Sequence, residues 1–229
     1  MKKIWCFGDS FTAGDGLRPG EDFYENYRKE GDKRWPEWIE EWTNVDVINK
    51  GRSGSSNDMI LDSIILNFDE IKSGDCAIIS KTLSNRYDIP YKSKTGEQVL
   101  VPIYANWVEN VSANQEIIDS FDTERLETII NFQYYFSSHD LYAKRQDIRL
   151  DFIIKRLKEK NVNVFFWEWY KIYEEHETIN EASNWTNMDG HWSFKGNKSF
   201  ATYLVTKFFN NLEEYKISGI DFKNIKTLL

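Results

Sequence analysis

The chain has 229 residues, which is enough for one large domain or two small ones. It is 41% hydrophobic and 29% charged, with 12 glycines and 4 prolines, and this composition argues against disorder, collagen and low complexity. The net charge is −8 without an evident basic patch, and no apolar run is long enough for a signal peptide or a membrane span, so we expect a cytoplasmic protein without a nucleic-acid partner.

Short apolar runs alternate with helical patterns along the chain. Strands are predicted at 4–7, 45–48, 76–79 and 162–167, and helices at 35–42, after Ser56 or Asn57, and at 124–142, 147–160 and 193–212. Parallel strands need crossover connections, so this alternation favours a parallel sheet covered by helices on both faces. No repeat or flexible linker interrupts the pattern, so we expect one domain over residues 1–229, with an irregular insertion or lid at roughly 86–122.

Aromatic residues make up 16% of the chain, and two cysteines stand in short apolar runs. Trp35, Trp38 and Trp42 recur at helical spacing, which predicts a core-facing stripe, with a substrate wall as the alternative. Cys6 and Cys76 are predicted to be buried thiols, because no cluster of Cys and His has the spacing of a zinc site.

Ligands of parallel α/β sheets bind at the carboxyl ends of the strands. The segments at that edge contain Ser10, the 49–56 loop, the 80–86 loop, and Asp189 with His191. A serine hydroxyl becomes a nucleophile when a histidine takes its proton, and a carboxylate can fix the histidine tautomer.

Three histidines are candidates for the base. His139 lies at the predicted end of a helix, and His176 lies in a strongly acidic run. His191 alone lies in a turn-like segment directly before a helix, where a catalytic role and a capping or packing role are equally open.

Three segments resemble the sequence blocks of the GDSL, or SGNH, hydrolases, a family of serine esterases and lipases. Gly8-Asp9-Ser10-Phe11-Thr12-Ala13-Gly14 resembles the first block, the 49–54 segment resembles the second, and the 189–197 segment resembles the last. The stretch 86–160 is largely unmatched. The third block usually reads Gly-x-Asn-Asp, whereas the 80–86 loop offers only Asn85, at a suitable distance from its strand.

The resemblance implies an α/β fold of three layers, flavodoxin-like, with a parallel sheet of about five strands flanked by helices. It implies Ser10 as nucleophile, His191 as base and Asp189 as its orienting acid, although the family's acid usually stands one residue earlier. The oxyanion hole would consist of the backbone N–H groups of Ser10 and Gly54 and the side chain of Asn85. The resemblance implies no metal and no organic cofactor.

The implied reaction is hydrolysis of carboxylic esters. The Asp-x-His-Trp ending at 189–192 resembles that of some acetyl-transferring and acetyl-removing relatives, and together with the tryptophan-rich composition it favours short acyl groups, such as acetyl, on a carbohydrate. Arg52, Arg86 and Trp192 are candidate substrate-binding residues, and the two arginines could instead form surface salt bridges. Hydrolysis of lipid esters or thioesters, acyl transfer, and carbohydrate binding without catalysis stay open, as does the oligomeric state. A flavin or nucleotide binder is disfavoured, because the loop after the first strand lacks a phosphate-binding glycine run.

Overall fold

The structure, a computed structural model, describes residues 2–14, 33–84, 86–92, 98–104, 139–168, 192 and 194–205. Its elements are, in chain order, β1 (Ile4–Phe7), α1 (Ser10–Ala13), α2 (Trp35–Thr43), β2 (Val47–Asn49), α3 (Asn57–Leu66), β3 (Cys76–Lys81), β4 (Arg86–Lys92), β5 (Gln98–Tyr104), α4 (His139–Glu159), β6 (Asn163–Glu168) and α5 (Phe194–Leu204).

Four of the strands form an all-parallel sheet in the order β2-β1-β3-β6. All four residues of β1 are buried, as expected for an inner strand that helices cover on both faces. The predicted α/β fold with a parallel sheet is therefore confirmed. The described residues contribute four strands to this sheet, where the prediction was about five.

Alternate residues of the inner strands face two separate cores, because successive side chains of a strand point to opposite faces. On one face, Ile4 and Cys6 of β1 pack with residues of α2 and α5. On the other face, Trp5 and Phe7 pack with residues of α3 and α4. The sheet thus lies between two helical layers. Cys6 and Cys76 are both buried free thiols, as predicted, and burial raises the pKa of each.

The helices begin where capping and packing residues permit. Pro36 stands in the first turn of α2, where a missing N–H costs nothing, and Trp35 is fully buried against the core, as the predicted stripe requires. Ser56 caps α3, since its Oγ accepts a hydrogen bond from Met59 N at 3.1 Å.

Parts of the two helices predicted at 124–142 and 147–160 belong to one helix, α4. Residues 139–142 are helical as predicted, but α4 continues through the predicted break at 143–146, so His139 and the residues after 147 lie in the same helix. The predicted helical stretch 124–138 lies outside the described residues. No described helix combines the length and the apolar character needed to cross a bilayer.

Part of the predicted insertion has regular structure, because residues 86–92 and 98–104 form β4 and β5, which pair antiparallel. The sequence alternates apolar and polar residues along β4, but Pro90 and Pro102 are unusual in strands and obscured the pattern. A two-stranded ribbon tolerates them, because each of its strands has one edge without a partner among the described strands. Asp88 of β4 accepts a hydrogen bond from Ser56 Oγ, and burial raises the pKa of this carboxyl group. The rest of the predicted lid, from residue 105 to 122, lies outside the described residues.

Candidate active site

Three loops meet where β1, β2 and β3 end. The strands are parallel and in register, with Cys6 opposite both Asn49 and Ile78, so their carboxyl ends lie at the same edge of the sheet. The Ser10 turn follows β1, the Gly54 loop follows β2, and the segment leading to Arg86 follows β3. The structure therefore brings these three predicted site segments together.

The Ser10 turn is a single helical turn, α1, that starts directly after Asp9. The Asp9 backbone is extended, and its Oδ1 accepts a hydrogen bond from Phe11 N at 3.1 Å, so Asp9 caps the turn. A Cβ at Gly8 would lie 2.1 Å from Thr12 Oγ1, which explains why a glycine precedes the cap. Ser10 is consequently held at the first helical position, and the residue is 5% exposed.

The Asp9 carboxylate is completely buried and is paired with a cation. Its Oδ2 accepts hydrogen bonds from Thr82 Oγ1 at 2.7 Å and from Arg86 Nη1 at 3.1 Å. Arg86 is itself buried. The structure thus gives Arg86 an internal ion pair, in place of the exposed substrate contact or the surface salt bridge that the sequence suggested.

The Gly54 loop is attached to the Ser10 turn. Arg52 N donates to Gly8 O at 3.0 Å, and Ser55 N donates back to Arg52 O at 3.1 Å, which closes a tight turn. Gly54 occupies the third position of this turn with φ +72°, a left-handed conformation that favours glycine. Within the described part of the chain, the N–H groups of Ser10 and Gly54 donate to no acceptor. The Arg52 side chain is exposed.

The chain segment that follows His191 in sequence packs against the Ser10 turn. The rings of Trp192 and Phe11 lie 5.1 Å apart between centroids. Asn197 Nδ2 donates to Trp192 O at 3.0 Å, and its Oδ1 accepts from Trp35 N at 3.0 Å. Trp192 is 2% exposed and belongs to the core, so little of its surface remains for the predicted substrate contact. Asn85, Asp189 and His191 lie outside the described residues.

Three polar contacts of the site were not assigned a role from the sequence. Asn49 Nδ2 donates to Thr12 O at 2.8 Å, and Trp35 Nε1 donates to Phe11 O at 2.9 Å, so both hold the Ser10 turn from outside. Thr82 is the third, through its bond to Asp9. Asn49 and Thr82 are polar residues at the ends of strands, and this position is a usable signal for such roles. The sequence alone does not indicate their partners.

A cavity of about 500 Å³ opens beside these loops. Gly8 and Ser55 contribute to its wall from the site, and the exposed cations Lys50 and Arg52 stand at its border. The rest of the lining comes from α3 and the residue after it, namely Met59, Ile60, Asp62, Ser63, Leu66 and Asn67. In the described ranges, no cluster of three or more His, Cys, Asp or Glu residues could hold a metal ion.

No protein-family model and no curated protein matches the chain. Among solved structures, it is similar to a member of the lipolytic protein G-D-S-L family from Veillonella parvula, with 15% identity over 91% of this chain and 99% of that chain and a TM-score of 0.41. A lipase from a goat rumen metagenome shares 15% identity over 90% and 97% of the two chains, with a TM-score of 0.39. The SGNH-hydrolase family esterase AlinE4 shares 16% identity over 95% and 97%, with a TM-score of 0.28. These similarities are distant and do not by themselves indicate an activity.

Proposed function

We propose that this protein is a serine ester hydrolase of the GDSL/SGNH type. One observation carries the proposal: Ser10 begins a tightly held turn at the carboxyl edge of a parallel sheet, and the loop bonded to that turn contains the Gly54 N–H, which has no acceptor among the described residues. Two backbone donors that are already in place suit the negative oxygen that develops when an ester carbonyl is attacked.

In the proposed reaction, Ser10 Oγ attacks the carbonyl carbon while His191 takes the hydroxyl proton. The N–H groups of Ser10 and Gly54, together with the Asn85 side chain, stabilise the oxyanion. The bond to the alcohol breaks, His191 returns the proton to the leaving oxygen, and an acyl-serine remains. Water then attacks the acyl group with the help of His191, which releases the carboxylic acid and free Ser10. Asp189 orients the imidazole throughout.

Neighbouring residues support the assignments of His191 and Asn85. Trp192, the residue after His191, packs against Phe11, the residue after Ser10. Arg86, the residue after Asn85, bonds to Asp9, the residue before Ser10. Since consecutive Cα atoms are only about 3.8 Å apart, both assignments are sterically reasonable.

The most direct test combines turnover of p-nitrophenyl acetate with labelling by a serine-directed fluorophosphonate. We expect Ser10→Ala to lose both, because the nucleophile is gone, and His191→Ala to lose kcat by about 1,000-fold or more. His139→Ala is the matched control and should retain activity. A larger loss in His139→Ala than in His191→Ala would contradict the base assignment. A folded wild-type protein with neither turnover nor labelling would favour a carbohydrate-binding role without catalysis, which the incomplete third block also allows.

For the substrate, we propose short acyl esters, above all acetyl groups on a carbohydrate that carries a negative charge. Lys50 and Arg52 at the border of the cavity could bind a carboxylate or a similar anion, and the adjoining wall offers both apolar side chains and polar groups to the rest of the molecule. An acetylated sugar acid should therefore have a lower KM than its neutral counterpart, and Arg52→Met should remove the difference. Equal KM values for the two, or faster turnover of medium-chain lipid esters or thioesters, would contradict this assignment; preferential transfer to a sugar hydroxyl instead of water would indicate an acyltransferase.

A further inference from the structure

We propose that Arg86 is a positioning residue that holds the two backbone donors of the oxyanion hole in one fixed arrangement. The inference rests on the proposed function. Arg86 acts through Asp9 on the Ser10 turn and through Ser55 on the Gly54 loop.

The contact with Asp9 determines the orientation of the nucleophile. A fully buried carboxylate is stable only when it is paired and hydrogen-bonded, and Arg86 supplies the cation that Asp9 needs. With its carboxylate held, Asp9 caps α1 through Phe11 N, and its backbone oxygen accepts from Ala13 N at 2.8 Å. Ser10 lies between the two ends of these bonds, so the pair fixes the direction of its N–H and of its Cα–Cβ bond.

The contact with Ser55 fixes the second donor. The same Nη1 atom that binds Asp9 also donates to Ser55 O at 3.1 Å. Ser55 closes the turn that contains Gly54, and the other end of that turn is bonded to Gly8 O through Arg52 N. The Gly54 loop is thus attached to the nucleophile turn at both ends, and Arg86 provides one of the two attachments.

An arginine is suited to this task because its planar guanidinium presents several N–H groups in fixed directions, whereas a lysine ammonium sits on a flexible stem. Arg86 also ends the 80–86 segment, which lacks the glycine and the acid of the family's third block. We infer that this chain stabilises its oxyanion loop with an internal ion pair in that place.

The test compares Arg86→Met with Arg149→Met. Arg149 forms an exposed ion pair with Asp58 and has no bond to Asp9 or Ser55 among the described contacts, so it serves as the matched control, since such pairs contribute little. Active sites are first counted by fluorophosphonate titration, so that kcat refers to folded, competent protein. We expect Arg86→Met to lower kcat per titrated site by about 10- to 100-fold with a nearly unchanged KM. Misplaced donors stabilise the transition state less, but they do not change how tightly the substrate binds in the ground state. Arg149→Met should match the wild type.

Two further measurements separate positioning from general stabilisation. Arg86→Lys should fall between the wild type and Arg86→Met, and added guanidinium ion should raise kcat of Arg86→Ala at concentrations that do not unfold the protein. If Arg86→Met does not fold, Thr82→Val takes its place, because it removes one donor to Asp9 while it keeps the shape of the side chain; a lowered kcat per site is again expected.

The outcomes distinguish this inference from the proposed function. A wild-type level of kcat per titrated site in Arg86→Met, or in Thr82→Val where that variant replaces it, would overturn the positioning role alone. Wild-type protein without turnover and without labelling at Ser10 would overturn the proposed function and the positioning role together.

Discussion

Two aspartates are buried at opposite ends of the parallel sheet, and they are satisfied by different kinds of donor. At the amino end, Asp75 accepts hydrogen bonds from Lys3 N at 3.1 Å, Trp5 Nε1 at 3.1 Å and Lys72 N at 2.9 Å, all of which are neutral N–H groups. At the carboxyl end, Asp9 accepts from an amide, a hydroxyl and the Arg86 guanidinium.

The two sets of donors connect different kinds of element. The donors of Asp75 belong to the start of β1 and to the turn before β3, so its bonds join elements that the sheet already places side by side. The donors of Asp9 come from α1, from the segment after β3 and from the first residue of β4, and the Arg86 guanidinium also bonds the Gly54 loop. A cation at this end can therefore hold the Ser10 turn and the Gly54 loop together.

Asp9→Asn should have the larger effect. The change leaves a buried guanidinium without its counter-charge, which should lower the free energy of unfolding by about 3–5 kcal/mol. It should also lower kcat per folded molecule by about 10-fold or more, because the cap of the Ser10 turn is disturbed. Urea unfolding and p-nitrophenyl acetate turnover on the same samples measure the two effects. The double variant Asp9→Asn/Arg86→Met should be more stable than the sum of the single changes implies; strict additivity would mean that the two residues do not form one unit.

Asp75→Asn should have the smaller effect and a different character. The new amide faces donors with a donor of its own, so we expect a loss of about 1–3 kcal/mol in the free energy of unfolding. No change in kcat is expected well below the unfolding temperature, because Asp75 lies at the opposite end of the sheet from Ser10. Urea unfolding and p-nitrophenyl acetate turnover again measure the two quantities. A fall in kcat comparable with that of Asp9→Asn would show that the two ends of the sheet are not functionally separate.

Much of the fold was predictable from local pattern. β1 occupies the predicted residues, and α2 and α3 differ from their predictions by little, because apolar periodicity and caps such as Ser56 act within a few residues of chain. The hairpin was missed because prolines in its strands contradict strand propensity, and only the pairing of β4 with β5 outweighs them. The break expected between 142 and 147 was wrong, because the polar residues 143–146 show little apolar period but lie within α4.

Short-range pattern and the geometry of parallel strands were enough to predict the succession of strands and helices, the buried cysteines, and the edge of the sheet at which Ser10 and Gly54 stand. The partners of the site residues are visible only in the folded protein: Arg86 bonds Asp9 and Ser55, and Trp192 packs against Phe11. These contacts join residues far apart in the chain. The pairing of buried charges depends on how the helices and the sheet pack together, and no single segment of the sequence determines that packing.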